Sequence, residues 1–322
     1  MINSHLKNSY LLVGASIVLS LLVLLLAGTW AGGMMDGEIF WRLRLPRVLA
    51  AFGVGGLLAL AGLLLQALLR NPLAEPYMLG AASGASFALL VGTILGLTWW
   101  GLQGLAFVGA VVVLCLMWWI LRRFSRLEGD ISIVLLLGVL CSAVLNAGVS
   151  VLLLLLPERA LRGSLFWLMG DLSGAGRNYV AWYGVWLCLL LAWPLANRVT
   201  ALMRGSLMAH AVGVSVQKTR VQLLLLAGLA TALAVFEAGA VGFVGLVVPH
   251  LIKLLAAKRD LSMRVVMLLC VLWGGVLLVL ADILARSIVA PMQLPVGIFT
   301  IALGAPFLAW QLVTRMKTGG ML

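Results

Sequence analysis

Residues 131–156 read ISIVLLLGVLCSAVLNAGVSVLLLLL, a run with no charged side chain. A helix rises 1.5 Å per residue and needs about 20 apolar residues to cross about 30 Å of hydrocarbon. The run is therefore long enough to span a bilayer. Its last six residues, VLLLLL at 151–156, are apolar all round, whereas a strand of a membrane barrel would alternate polar and apolar side chains. Helix is the only membrane-spanning form that fits.

Similar runs recur along all 322 residues, of which 64% are hydrophobic and 10% charged, with a mean hydropathy of +1.17. Such a composition excludes a water-soluble globule and defines an all-α integral membrane protein. Breaking the chain at charges, prolines and turn clusters predicts about ten spans in one domain, 1–322. They run near 10–28, 46–69, 79–97, 103–121, 131–156, 179–197, 221–240, 242–257, 264–285 and 295–313. The first, which follows Lys7, exceeds the 7–15 apolar residues of a signal-peptide core and is expected to remain as a span.

An even number of spans places both termini on one side. With the termini inside, inner loops collect 15 of the 22 Lys and Arg, among them Lys7, Arg122, Arg126, Lys258, Arg315 and Lys317. Only Arg42, Arg44, Arg47, Arg159, Arg162, Arg177 and Arg286 stay outside, so the positive-inside rule predicts cytoplasmic termini. The net charge of +12 belongs to those inner loops, and nucleic acid is not an expected partner. Cys115, Cys141, Cys188 and Cys270 sit in apolar runs without C-x-x-C spacing and read as small hydrophobes, with no metal site or disulfide expected.

Within the opening run, Ser142, Asn146 and Ser150 recur every four residues and share one helix face with Gly138. That face either lines a water-filled path or packs closely on another helix. Residues 158–170 mix Arg159 and Arg162 with Phe166 and Trp167, the composition of a short helix lying at the outer interface. The polar insertion near 203–220 carries Gly205, Ser206, Ala209 and Gly213. The four-residue spacing of Gly205, Ala209 and Gly213 gives either a short helix with a small-residue face open to another protein, or a solvated loop. The span near 242–257 is short and contains Gly242, Gly245 and Pro249, the pattern of a broken helix beside a pathway or of a tilted packing helix.

Chemistry has few candidates. Ser83 with His250 is the only pair an intramembrane hydrolase could use, and neither stands in a catalytic motif. Glu237 and Asp282 would serve an ion-coupled secondary transporter. No G-x-x-x-x-G-K-[ST] loop occurs, so ATP, if it drives the protein, is hydrolysed by another subunit. No catalytic residue is assigned.

Five stretches together resemble the permease subunits of type II ABC importers, the family that imports ferric siderophores, haem and cobalamin. They are RLPRVLAA at 44–51, NPLAEPYMLG at 71–80, GAVGFVGLVVPHLIKLL at 239–255, ADILAR at 281–286 and LPVGIFTIALGAPF at 294–307. The resemblance implies a ten-helix permease in a bacterial inner membrane, paired with a second copy as a homodimer. It also implies two cytoplasmic ATPase subunits, which bind the ATP and Mg, and a periplasmic binding protein that delivers a metal chelate. No cofactor is expected in this chain. On this resemblance Arg44, Arg47 and Arg286 would meet acidic residues of the binding protein, with Arg42 an added charge and lipid-headgroup contact the competing reading. The face with Ser142, Asn146 and Ser150 would line the pathway, and the loop with Gly205, Ser206, Ala209 and Gly213 would be the coupling element for the ATPase. Ser206 departs from the acidic residue usual there, and Glu237 from a usually apolar or small one. NPLAEPYMLG is expected to shape an inner turn through Pro72, Pro76, Asn71 and Gly80, with no chemistry of its own.

Overall fold

The computed structural model describes residues 12–24, 26, 38, 40–123, 131–176, 178–259, 261–289 and 292–317. The ends of the first expected span, Lys7, Arg126 and Arg177, and the side chains of Arg122, Lys258, Arg315 and Lys317, lie outside what is described. Every regular element among the described residues is helical. The chain runs through α1 (Leu12–Leu24), α2 (Leu45–Leu69), α3 (Ala81–Ile94), α4 (Trp99–Arg123) and α5 (Ile131–Leu155). It continues with α6 (Glu158–Leu168), α7 (Val180–Ala192), α8 (Ala196–Met203), α9 (Ser206–Ala211) and α10 (Val216–Ala238), and ends with α11 (Val244–Arg259), α12 (Met263–Ser287) and α13 (Val296–Lys317).

Among the described residues, six helical stretches are long and apolar enough to cross a membrane, α7 and α8 forming one of them, Val180–Met203. Four shorter apolar helices, α1, α3, α11 and α13, complete ten. The expected span boundaries hold within a few residues for α2, α5, α10, α11 and α12. The span expected at 79–97 is cut to the fourteen residues of α3.

At the centre stands α2, buried over nearly its whole length by α12, α10, α7 and α11. Its sequence explains the position: VLAAFGVGGLLALAGLLLQALL carries no charge, and its glycines let neighbours approach to backbone contact. A Cβ on Gly55 would overlap the carbonyl of Gly274 on α12, and one on Gly62 would overlap the carbonyl of Gly245 on α11. The α1 helix is tied to α12 through the Trp273 indole N–H, which donates to the Ser16 hydroxyl at 3.2 Å. Because α5 packs chiefly on α3, most of its surface is open in the single chain, Val144 at 74% and Leu154 at 86% exposure.

Two breaks interrupt the bundle. After α2 ends on a left-handed Arg70, the chain does not simply turn, as expected of NPLAEPYMLG, but climbs back beside α2. Pro76 packs on Gly245, which itself touches the carbonyl of Leu58, so both sit about 20–25 Å along α2 from its start. From there α3 runs toward the end of the bundle that holds the start of α2, here called the rim. The segment after α10 drops from the rim to the same depth, Gly239 and Phe243 having positive φ, before α11 runs toward the end that carries α9. Both half-length helices thus start inside the protein.

Non-helical backbone at membrane depth must find its hydrogen bonds in protein. The first break supplies them to the second. The Glu75 carboxylate accepts from the Phe243 N–H at 2.6 Å, and the Tyr77 hydroxyl oxygen from the Val241 N–H at 2.7 Å. Negative charge at the first turn of α11 also suits the helix dipole. Gln66 of α2 completes the joint. Its amide N–H group donates to the Leu246 carbonyl at 3.3 Å, and its amide oxygen accepts from the Lys253 ammonium at 2.9 Å.

Candidate functional site

At the rim, the first turn of α2 meets the last turns of α12. Arg47 donates through Nε and Nη2 to Asp282 Oδ1 at 3.1 and 2.8 Å, and through Nη1 to Gln293 Oε1 at 2.6 Å. Arg286, one helical turn beyond Asp282, places Nη2 3.0 Å from Asp282 Oδ2. The carboxylate is 1% exposed and each guanidinium side chain 11%. One buried carboxylate between two arginines offsets part of the repulsion between them and fixes the Arg47 fork by hydrogen bonds, while Arg286 is held by charge proximity.

Three rim arginines were expected to face outward. The structure brings Arg47 and Arg286 together with Arg44 one turn before Arg47, but it turns the first two upon Asp282. Arg44 is half-buried, and Arg42 forms an exposed pair with Glu38 at 3.2 Å, the kind that contributes little. The sequence reading gave Asp282 a role only in the alternative ion-coupled carrier and gave Gln293 none. The DILAR spacing, an Asp four residues before an Arg on one helix face, was the available signal for the ion pair.

Glu237, a second buried carboxylate near the rim, is the penultimate residue of α10. Its Oε1 accepts from the Gly176 N–H at 2.5 Å, and the Asp171 N–H donates to the Ala238 carbonyl at 2.9 Å, so the segment after α6 is stitched to this helix end. Glu237 is 7% exposed. Each candidate coupling carboxylate is therefore built into packing at the rim. Ser83 and His250 are both buried, Ser83 on α3, which packs on α4 and α5, and His250 on α11, which packs on α2 and α12.

The polar face of α5 divides into two parts. Gly138 and Ser142 pack on the turn at Met78–Gly80, and the Ser142 hydroxyl donates to the Gly138 carbonyl at 2.8 Å. Asn146 and Ser150 are exposed, the Ser150 hydroxyl donating to the Asn146 carbonyl at 3.0 Å. The single chain leaves this half of the face uncovered.

At the opposite end, α9 is a six-residue helix bounded by Gly205 at φ 121° and Gly213 at φ 77°. Of the expected small-residue face, Gly213 is exposed and Gly205 half-buried. Ala209 is fully buried against the chain itself, whereas Leu207 is 86% and Met208 53% exposed. The glycines serve the backbone at the helix ends, and the open surface of α9 combines Leu207 and Met208 with His210. Ser206 is half-buried in the first turn.

An interrupted ten-helix bundle, with a charged rim at one end and an apolar knob at the other, is a multi-pass permease architecture. The chain belongs to the FecCD transport family, which it matches over residues 9–314. It is 36% identical to the vitamin B12 import system permease protein BtuC of Pectobacterium atrosepticum, over 95% of this chain and 94% of that one. It is also 36% identical to the protein of the same name from Yersinia enterocolitica, over 98% and 94%. A solved structure described as an inward-facing conformation of a metal-chelate type ABC transporter superposes with a TM-score of 0.84 at 26% identity, covering 94% of this chain and 99% of that one. The protein is accordingly an ABC importer permease of the BtuC/FecCD type, and the full-length relatives are permease subunits.

Proposed function

We propose that the chain is the membrane subunit of an inner-membrane importer that moves a metal chelate of the cobalamin type inward by alternating access. The match of nearly the whole chain to vitamin B12 permeases carries this reading. In it the rim faces the periplasm and α9 the cytoplasm, with both termini on the α9 side. The described basic residues support the orientation: Arg70, Arg123, Arg198, Arg204, Lys218, Arg220, Arg259 and Arg264 lie toward the α9 end.

Energy comes from two ATPase subunits, which bind ATP and Mg, and Leu207 and Met208 on α9 form an apolar knob suited to a cleft in each of them. A second copy of the chain covers α5, placing Asn146 and Ser150 on a shared pathway. An acidic binding protein docks on the rim, where arginine forks recognise carboxylates. Asp282 holds Arg47 and Arg286 in register for that contact.

The decisive measurement is uptake by vesicles with each partner omitted in turn. Uptake that needs the ATPase and the binding protein is the expected result, and uphill uptake by this chain alone would overturn it in favour of an ion-coupled carrier. Arg44→Glu tests docking without placing a second carboxylate beside Asp282. It should remove the stimulation of ATP hydrolysis by loaded binding protein, and full stimulation would remove the docking assignment.

A further inference from the structure

At the α9 end the chain gathers positive charge without matching it. None of the basic residues placed there has a carboxylate partner among the described residues, whereas the ion pairs of Arg42, Arg47 and Arg286 all lie at the rim. The described carboxylates are elsewhere: Glu38, Glu158, Asp171, Glu237 and Asp282 at the rim and Glu75 at the joint inside the bundle. Glu128, Asp130 and Asp260 lie outside the described residues. Neutral side chains take the place of acids, Arg198 donating to Gln222 Oε1 at 3.1 Å and Lys253 to Gln66 Oε1 at 2.9 Å.

Two of these arginines stand together beside α9. Arg70 closes α2 and Arg220 lies near the start of α10, two helices that pack along each other. The charge of Arg70 acts directly on Arg220, and Arg70 Nη1 lies 3.9 Å from where a Cβ on Gly205 would stand. Arg70 is exposed, while Arg220 is half-buried with its Nε enclosed and without a hydrogen-bond partner. Ser206, in the first turn of α9, brings them no carboxylate. At the rim the chain places Asp282 between Arg47 and Arg286, because like charges brought together are unfavourable unless an anion stands with them. At the α9 end it supplies no such anion among the described residues.

We infer that Arg70 and Arg220 form an anion-receiving pair completed by an acidic side chain of the ATPase, which enters beside α9 and binds both guanidinium groups. Two planar forks match a carboxylate. The pair also borders a polar insertion whose exposed Leu207 and Met208 call for a protein cover rather than a lipid one. This contact lies off α9, on the ends of α2 and α10, so it grips the central helix of the bundle directly. The inference rests on the importer reading and adds to it a charged clasp for the ATPase.

Binding of the purified cognate ATPase to the full-length permease in phosphatidylcholine nanodiscs, measured by biolayer interferometry at low and high salt, tests the clasp. Arg70→Gln, at an exposed position, is expected to weaken binding about tenfold or more and to flatten its salt dependence. The melting temperature of the free permease should not fall, since the variant removes a repulsion. Arg70→Glu should lose binding further, and one Asp→Arg or Glu→Arg reversal on the ATPase surface should restore it. Unchanged affinity of Arg70→Gln, a lower melting temperature that reveals a partner inside the chain, or a scan in which no reversal restores Arg70→Glu overturns the clasp. So does a difference between Arg70→Gln and the unmodified permease that appears only when phosphatidylglycerol is added, because the pair then serves a lipid headgroup. ATP-driven uptake with every partner present reads the importer function separately. Uptake intact beside equal ATPase binding by all variants discards the clasp alone, and failure of the unmodified permease to bind the ATPase discards the importer.

Discussion

Asp282 shows what a single residue decides. From the sequence it was one of two isolated carboxylates near span ends, open to ion coupling, while the arginines around it were free cations. In the fold it is the buried centre of both. Removing one partner of a buried, hydrogen-bonded charge pair costs about 3–5 kcal/mol, because the remaining charges stay desolvated. Asp282→Ala should therefore lower the melting temperature of the detergent-solubilised protein markedly. Asp282→Asn should recover part of the loss, since its amide oxygen still accepts from Arg47. Equal melting temperatures for all three proteins would mean that the cluster does not hold the rim together.

At the scale of elements, α11 was legible as short and α3, expected over 79–97, was not, and the reason for either length was hidden. Gly242, Gly245 and Pro249 signalled an interruption, and the four-residue spacing of Pro72 and Pro76 signalled a turn. Neither pattern says that the two interruptions meet. They meet because each solves the other's problem: one brings a carboxylate and a phenol, and the other brings unpaired N–H groups. Tyr77→Phe preserves the ring and deletes one acceptor, leaving the Val241 N–H unpaired at a cost of about 1–3 kcal/mol. The expected outcome is a lower melting temperature with unchanged membrane insertion, read by thermal scanning and by the yield of the membrane fraction. An unaltered melting temperature would show that the Val241 N–H has another partner.

Across the whole molecule, α5 is the helix whose surroundings the single chain leaves least complete. It is the longest of the expected spans and one of the most exposed helices in the structure, with Asn146 and Ser150 on the open side. A polar amide facing lipid is unfavourable, so this face needs a protein or an aqueous lining. In the function proposed above, a second copy provides it. In a chain stripped of its four cysteines, Val144→Cys should give an oxidised dimer in membranes, whereas Leu187→Cys on the exposed side of α7 should not. Cross-linking at Leu187 but not Val144 would move the dimer contact away from α5.

The amino-acid sequence by itself determined the class, the near-complete set of spans and the position of the charged ends, because hydropathy and helical rise act locally and need no partner to be read. Its motifs also carried the family. Tertiary structure alone decided which charges pair, which glycines touch backbone and which broken ends share hydrogen bonds. These contacts join positions such as Arg47 and Asp282, or Glu75 and Phe243, that lie more than 160 residues apart along the chain. No local pattern encodes such pairings. They follow from burial, which makes every unmatched charge and every unpaired N–H inside the bundle find whatever partner the packing brings near.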